Sequence, residues 1–149
     1  MHYHFPQKED LGVAVVSRYH ARMLAELEGP AGAAEDPHER LRHFVGLYGE
    51  ALQIDRTICL CAMLAAESGG LPAPVTAEVQ RFFQANIDWL AALLPRIAER
   101  HGGRCPLPPP AEIVARLQGA MIVAAAMRDR AIFDRVAADL LAAAEPPKD

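Results

Sequence analysis

The segment that decides the fold is Pro72-Ala73-Pro74-Val75-Thr76-Ala77-Glu78-Val79-Gln80-Arg81-Phe82-Phe83-Gln84-Ala85-Asn86-Ile87-Asp88-Trp89-Leu90, which continues through Leu93 and Ile97 to Gly102-Gly103. Val75, Val79, Phe82, Asn86, Trp89, Leu90, Leu93 and Ile97 return at steps mostly of three and four residues, the period of one helix face. Pro72 and Pro74 suit the opening turn of a helix, where a missing N–H costs little. The Gly-Gly pair ends it. Pro95 lies inside and should remove one backbone hydrogen bond and bend the rod there.

The same period recurs on both sides of this helix. Upstream, Leu11, Val15, Tyr19, Met23 and Leu27 mark a helix from about residue 7 to 28, closed by Gly29-Pro30-Ala31-Gly32. Val13 to Val16 alone could pass for a strand, but the longer pattern outvotes it. Asp36-Pro37 reads as an N-cap followed by proline at the first helical position. Leu41, Phe44, Val45, Tyr48 and Leu52 form the next stripe, and a short third helix spans about Thr57 to Glu67. Downstream, Arg104-Cys105-Pro106-Leu107-Pro108-Pro109-Pro110 is an extended connector. A fifth helix follows from about Ala111 to Met127. Asp129 caps a sixth, with Ile132, Phe133, Val136, Leu140 and Leu141 on its apolar side. The expectation is an all-α body of six helices, with a frayed tail over residues 146–149.

Composition narrows the function. The chain has 149 residues, 52% apolar and 23% charged, with a formal net charge of −4. That size supports one domain with a real core. The acidic balance argues against a broad electrostatic footprint for nucleic acid or for an anionic membrane. No apolar run was found that reaches spanning length, and the start lacks the basic-then-apolar order of a signal peptide. Three cysteines, an odd number, fit free thiols in a reducing cytoplasm.

The opening residues Met1-His2-Tyr3-His4-Phe5-Pro6-Gln7-Lys8-Glu9-Asp10-Leu11 contain a Tyr-His-Phe-Pro-x-Lys-Glu-x-Leu run. This run resembles the junction at which the DNA recognition helix of a TetR-family regulator gives way to the next helix. Two further segments are similar to that family. One is Ile58-Cys59-Leu60-Cys61-Ala62-Met63-Leu64-Ala65-Ala66-Glu67, like the Cys-Leu-x-x-x-Leu-x-x-Glu pattern of its short sixth helix. The other is Glu78 to Leu90, like the start of its long seventh helix. The resemblance covers nearly the whole chain and implies a six-helix TetR-type regulatory domain. Residues 1–6 would be a remnant of the recognition helix, and residues 7–145 the ligand-binding and dimerisation domain. His2 stands where the family usually has a tyrosine, and Pro95 interrupts a helix that is often continuous.

Several functional expectations follow from the resemblance. Tyr3, His4 and Lys8 match positions that touch DNA phosphates, and a helix N-terminus beside a lysine suits an anion. Specific reading needs a helix in the major groove, so DNA is expected as a partner only if the N-terminal head is present. A small apolar effector is expected among the helices, lined by Tyr19, Phe44, Tyr48, Met63, Phe82, Asn86, Trp89 and Met121. Each of these could equally be ordinary core. Asn86 is singled out because a buried amide on an apolar stripe needs partners that a ligand or water could supply. Homodimer formation is expected through the last two helices, with Gly119, Ala120, Ala124, Met127, Phe133, Val136 and Leu140 in the interface. The alternative is that the alanine run packs inside the monomer.

Other chemistry has less support. Cys59 matches a position at which some family members sense oxidants or electrophiles. Cys59 and Cys61 point about 200° apart on a helix, which disfavours a shared metal or local disulfide. No metal-ligand spacing, glycine-rich phosphate loop or strand-borne nucleophile is present, so neither catalysis nor a cofactor is expected. The competing functional reading is a head-less partner that forms mixed dimers with an intact paralogue and blocks its DNA binding.

Overall fold

A computed structural model describes residues 7–54 and 60–148. It contains six α-helices: α1 (Lys8–Glu28), α2 (Pro37–Ile54), α3 (Leu60–Ala66), α4 (Ala73–Glu99), α5 (Pro110–Met127) and α6 (Ala131–Ala144). A single 3-10 turn, Ser68–Gly70, joins α3 to the approach of α4, and no strand occurs among the described residues. The all-α expectation is met.

Local chemistry sets most of the boundaries. The Asp36 carboxylate accepts the His38 N–H at 3.0 Å, and the Asp36 carbonyl accepts the Arg40 N–H at 3.1 Å, which starts α2. α4 ends where Gly102 and Gly103 take φ of 68° and 90°, and the Gly103 N–H returns to the Ala98 carbonyl at 2.8 Å. α5 ends in the same way but without a glycine. Arg128 takes φ 52° while the Asp129 N–H reaches the Ala124 carbonyl at 3.0 Å. Asp129 then accepts the Ala131 N–H at 3.0 Å and opens α6. Gly32 is required for another reason: a Cβ there would lie 1.9 Å from the Leu27 carbonyl oxygen.

α4 is the axle of the fold. α1, α2, α3 and α5 all pack on it, while α6 packs on α5 and α2. Its face of Val75, Val79, Phe82, Asn86, Leu90, Leu93, Leu94 and Ile97 is buried; the stripe named all of these but Leu94, and its remaining member, Trp89, is half-buried. Two histidines fasten the far end of α6. His38 Nε2 donates to the Leu141 carbonyl and His101 Nε2 to the Ala144 carbonyl, each at 3.1 Å. Arg130 Nη1 donates to the Gly49 carbonyl at 3.0 Å and ties the start of α6 to α2.

One expectation needs correction. α5 is long and apolar enough to cross a membrane by length and composition alone. Glu112, Arg116 and Gln118 break the run to the eye, yet only the first two carry charge in 18 residues. α5 packs on α2, α4 and α6, and 39% of this window is buried inside the chain.

Candidate functional site

α1, α2, α4 and α5 converge on an aromatic interior. Tyr19 of α1 lies against Phe82 of α4, with ring centroids 5.4 Å apart and planes at 49°. Phe44 of α2 meets Tyr48 one turn on, at 5.3 Å and 43°. Phe44 also stacks on Trp89 at 5.3 Å with planes only 11° apart. Trp89 also carries the Arg40 guanidinium over its ring, 5.2 Å from the centroid. The Arg40 Nε donates to the Gly32 carbonyl at 2.6 Å. Burial, and then repulsion from Arg96, pulls the guanidinium below its ordinary pKa.

Asn86 sits inside this group, 1% exposed. Its amide donates to the Phe82 carbonyl at 2.8 Å, and its carbonyl oxygen accepts the Tyr48 hydroxyl proton at 3.2 Å. The partners that the sequence reading assigned to a ligand or water are thus supplied, at least in part, by the protein. The orphans lie elsewhere. Among the described residues, the buried side-chain atoms without a hydrogen-bond partner are His20 Nε2 and both amide atoms of Gln118. His20 lies edge-on to Phe82, at 6.0 Å and 84°.

Between these helices lies a void of about 10 Å³ lined by Tyr19, Met23, Leu47, Tyr48, Ala51, Phe82 and Met121. Four of the residues expected around an effector, Tyr19, Tyr48, Phe82 and Met121, line it. Asn86 backs it through Tyr48 and Phe82, Phe44 backs it through Tyr48, and Trp89 lies one ring further out, stacked on Phe44. Met63 does not join them, since it is 45% exposed on α3. A helix of seven residues leaves little of its circumference covered, and periodicity does not tell which side that is. Met23, Leu47 and Ala51 were not assigned to the site. Met23 follows Tyr19 by one turn on the same stripe, so the signal was there. Leu47 and Ala51 lie one turn apart just off the α2 stripe and gave none.

The outer side of α5 carries a second feature. Gly119, Ile122, Val123 and Met127 are exposed, the last three at 42%, 47% and 67%. Ala115, Arg116, Gly119, Ala120, Val123, Ile132, Val136, Asp139 and Leu140 line a groove of about 370 Å³ between α5 and α6. Of the residues expected in a dimer interface, Ala120, Ala124, Phe133 and Leu140 are buried in their own chain, and Val136 is half-buried. Gly119 and Met127 lie open.

The remaining expected positions divide simply. Lys8 begins α1 and is exposed. Tyr3, His4 and Cys59 lie outside the described residues. Cys61 is buried and Cys105 half-buried. No group of three or more metal-ligating side chains occurs among the described residues.

This arrangement of helices recurs in known proteins. A crystal structure of a TetR-family transcriptional regulator from Agrobacterium tumefaciens superposes with a TM-score of 0.81 and 34% sequence identity, over 93% of this chain and 75% of that one. The chain belongs to the TetR family of transcriptional regulators. A TetR transcriptional regulator from Legionella pneumophila is also similar, with a TM-score of 0.79 and 25% identity over the same shares. No family profile and no curated protein matches the sequence. For a TetR-family chain, the two features above are a closed aromatic interior and a bare apolar flank.

Proposed function

We propose that residues 7–145 are the effector-binding and dimerisation body of a TetR-type repressor, with no catalytic role. The observation that carries the pairing half is the outer side of α5. An exposed run of Gly119, Ile122, Val123 and Met127 beside an apolar groove costs free energy in water and is relieved when a second copy covers it. Gly119 fits this use because no atom of the described residues lies within 4 Å of a Cβ placed there, so close approach by another helix is open. Two copies related by a two-fold axis would bring α5 and α6 of each into a four-helix contact.

The effector half rests on the aromatic interior. α1, α2, α4 and α5 all contribute to one void, so a molecule that enlarged it would push α1 away from α4 and α5. α1 is the helix that begins at Lys8, nearest the chain start. A ligand that favours one placement of α1 shifts the population of that placement, which is how binding inside the body could be transmitted.

Sedimentation equilibrium of the chain and of Gly119→Leu tests the pairing. The chain should be a dimer at micromolar concentration. Gly119→Leu should keep its helical content and melt cooperatively, yet sediment as a monomer. A monomeric parent chain, or a Gly119→Leu dimer of unchanged affinity, would refute the assignment of this face.

A further inference from the structure

We infer that the effector is a small uncharged molecule built on one aromatic ring, an inference that rests on the effector-binding reading above. The void between α1, α2, α4 and α5 is lined by three rings (Tyr19, Tyr48, Phe82), two thioethers (Met23, Met121), Leu47 and Ala51. None of these side chains carries charge at neutral pH. A carboxylate or ammonium entering here loses its hydration and meets no counter-ion in the lining, so charged ligands are rejected by the cost of burial. Tyr19 meets Phe82 at a tilted angle with centroids 5.4 Å apart, and Phe82 and Tyr48 each meet a further ring, His20 edge-on at 6.0 Å and Phe44 tilted at 5.3 Å, the geometry that another aromatic ring can extend.

Tyr48 brings one hydroxyl to the lining, and two buried groups without a hydrogen-bond partner lie close to lining residues in the sequence. Tyr48 and Asn86 are already joined to each other. The orphaned Gln118 amide stands one turn before Met121 on α5, and His20, with its orphaned Nε2, follows Tyr19 on α1. A ring with a hydroxyl or similar substituent matches this surround better than a bare hydrocarbon does.

At about 10 Å³ the void holds about one water-sized sphere, far below the roughly 150 Å³ that accepts benzene. Room must come from side chains that move. Met23 and Met121 are the adaptable members, since an unbranched thioether has three rotatable bonds. Met23 is half-buried and Met121 fully buried, so the first is the gate and the second the yielding wall.

The five methionines make the test direct. The full chain carrying ¹³C-methyl methionine would be titrated with phenol, benzoate, benzylamine and cyclohexanol. Phenol should shift the Met23 and Met121 methyl signals saturably and leave those of the exposed Met63 and Met127 in place. It should bind at least tenfold more tightly than benzoate or benzylamine, and at least threefold more tightly than cyclohexanol. Ala51→Val, whose two added methyl groups are enough to occupy a void of this size, should abolish the shifts. Met23→Ala, which opens it, should tighten phenol at least fivefold. If benzoate, benzylamine or cyclohexanol equals phenol at Met23 and Met121, the ligand class is wrong while effector binding stands. If no probe moves the Met23 or Met121 methyl of the parent chain, or the Met121 methyl of Met23→Ala, the effector-binding reading falls, and this inference with it.

Discussion

The aromatic interior and the outer side of α5 present opposite anomalies. Inside, polar groups are buried: Asn86 lies 1% exposed among rings, held by Tyr48 and by the Phe82 carbonyl. Outside, apolar groups are bare, with Met127 at 67% exposure and Val123 at 47%. The first anomaly is largely settled within the chain, because each buried hydrogen-bonding atom of Asn86 has a partner. The second is not, because none of the described residues covers Ile122, Val123 and Met127 on the outer side of α5. A satisfied interior reports on folding, whereas an unsatisfied exterior reports on association, and the two should respond differently to substitution.

The largest effect is expected inside. Phe82 touches Tyr19, His20 and Phe83 and lines the void. Phe82→Ala should cost about 3–5 kcal/mol in urea unfolding, a large part of a typical domain's stability. Val123→Asp is the counterpart outside. An unpaired carboxylate forced into a dry contact costs about 3–5 kcal/mol, so the dimer dissociation constant should rise by at least about 100-fold. The isolated subunit should lose no more than about 0.5 kcal/mol, since the position is open to water. If Val123→Asp unfolded the monomer, or Phe82→Ala altered only the association, the division between the two regions would be wrong.

Tyr48→Phe is a finer test of the interior. It keeps the ring and its contact with Phe44 but leaves the Asn86 carbonyl oxygen buried without the Tyr48 donor. A loss of about 1–3 kcal/mol is expected by chemical denaturation, with the dimer constant unchanged after correction for stability. Adding Asn86→Leu to Tyr48→Phe should recover part of that loss, because a pair of apolar groups leaves fewer unpaired atoms than a broken polar pair. A double variant worse than the single one would mean that Asn86 contributes through contacts other than this bond.

The sequence carried the fold where local chemistry decides it. Asp36-Pro37 and Gly102-Gly103 marked helix ends that the structure places there, and the α4 stripe named its buried face nearly residue for residue. The exceptions are Trp89, half-buried under Arg40 and not enclosed by core, and Leu94, buried although the stripe leaves it out. The site was legible to a face only. Tyr19, Tyr48, Phe82 and Met121 reach the void because they lie on inward stripes, and Met63 does not because a two-turn helix has no stripe to read. α5 was the hardest segment. Its composition is apolar on every side, so periodicity could not tell Ala120 and Ala124, buried in the monomer, from Gly119 and Val123, left open. Gln118 is buried although its residue type argues for the surface, and no local pattern announces that. His38 and His101 bond carbonyls of α6 that lie 103 and 43 residues away, a pairing only the assembled fold creates.

The smallest effect lies at the seam between α5 and α6, next to the bare flank. Arg128 is the only non-glycine among the described residues with positive φ, at 52°, and it closes α5 in the left-handed conformation. An L-residue pays about 1–2 kcal/mol there that glycine does not. Glycine in turn loses more chain entropy on folding, by roughly 0.5–1 kcal/mol. The balance for Arg128→Gly is a gain of about 0.5 kcal/mol, or about 1–2 °C in the melting midpoint at fixed protein concentration. Because the change acts on the backbone of one turn, it should raise stability without moving the dimer constant by more than about twofold. Arg128→Val supplies the opposite sign, since a β-branched side chain tolerates this conformation least, and should lower the midpoint. Equal midpoints for the glycine and valine variants would show that the α5 terminus relaxes out of the left-handed turn and that the seam is not held by its own backbone.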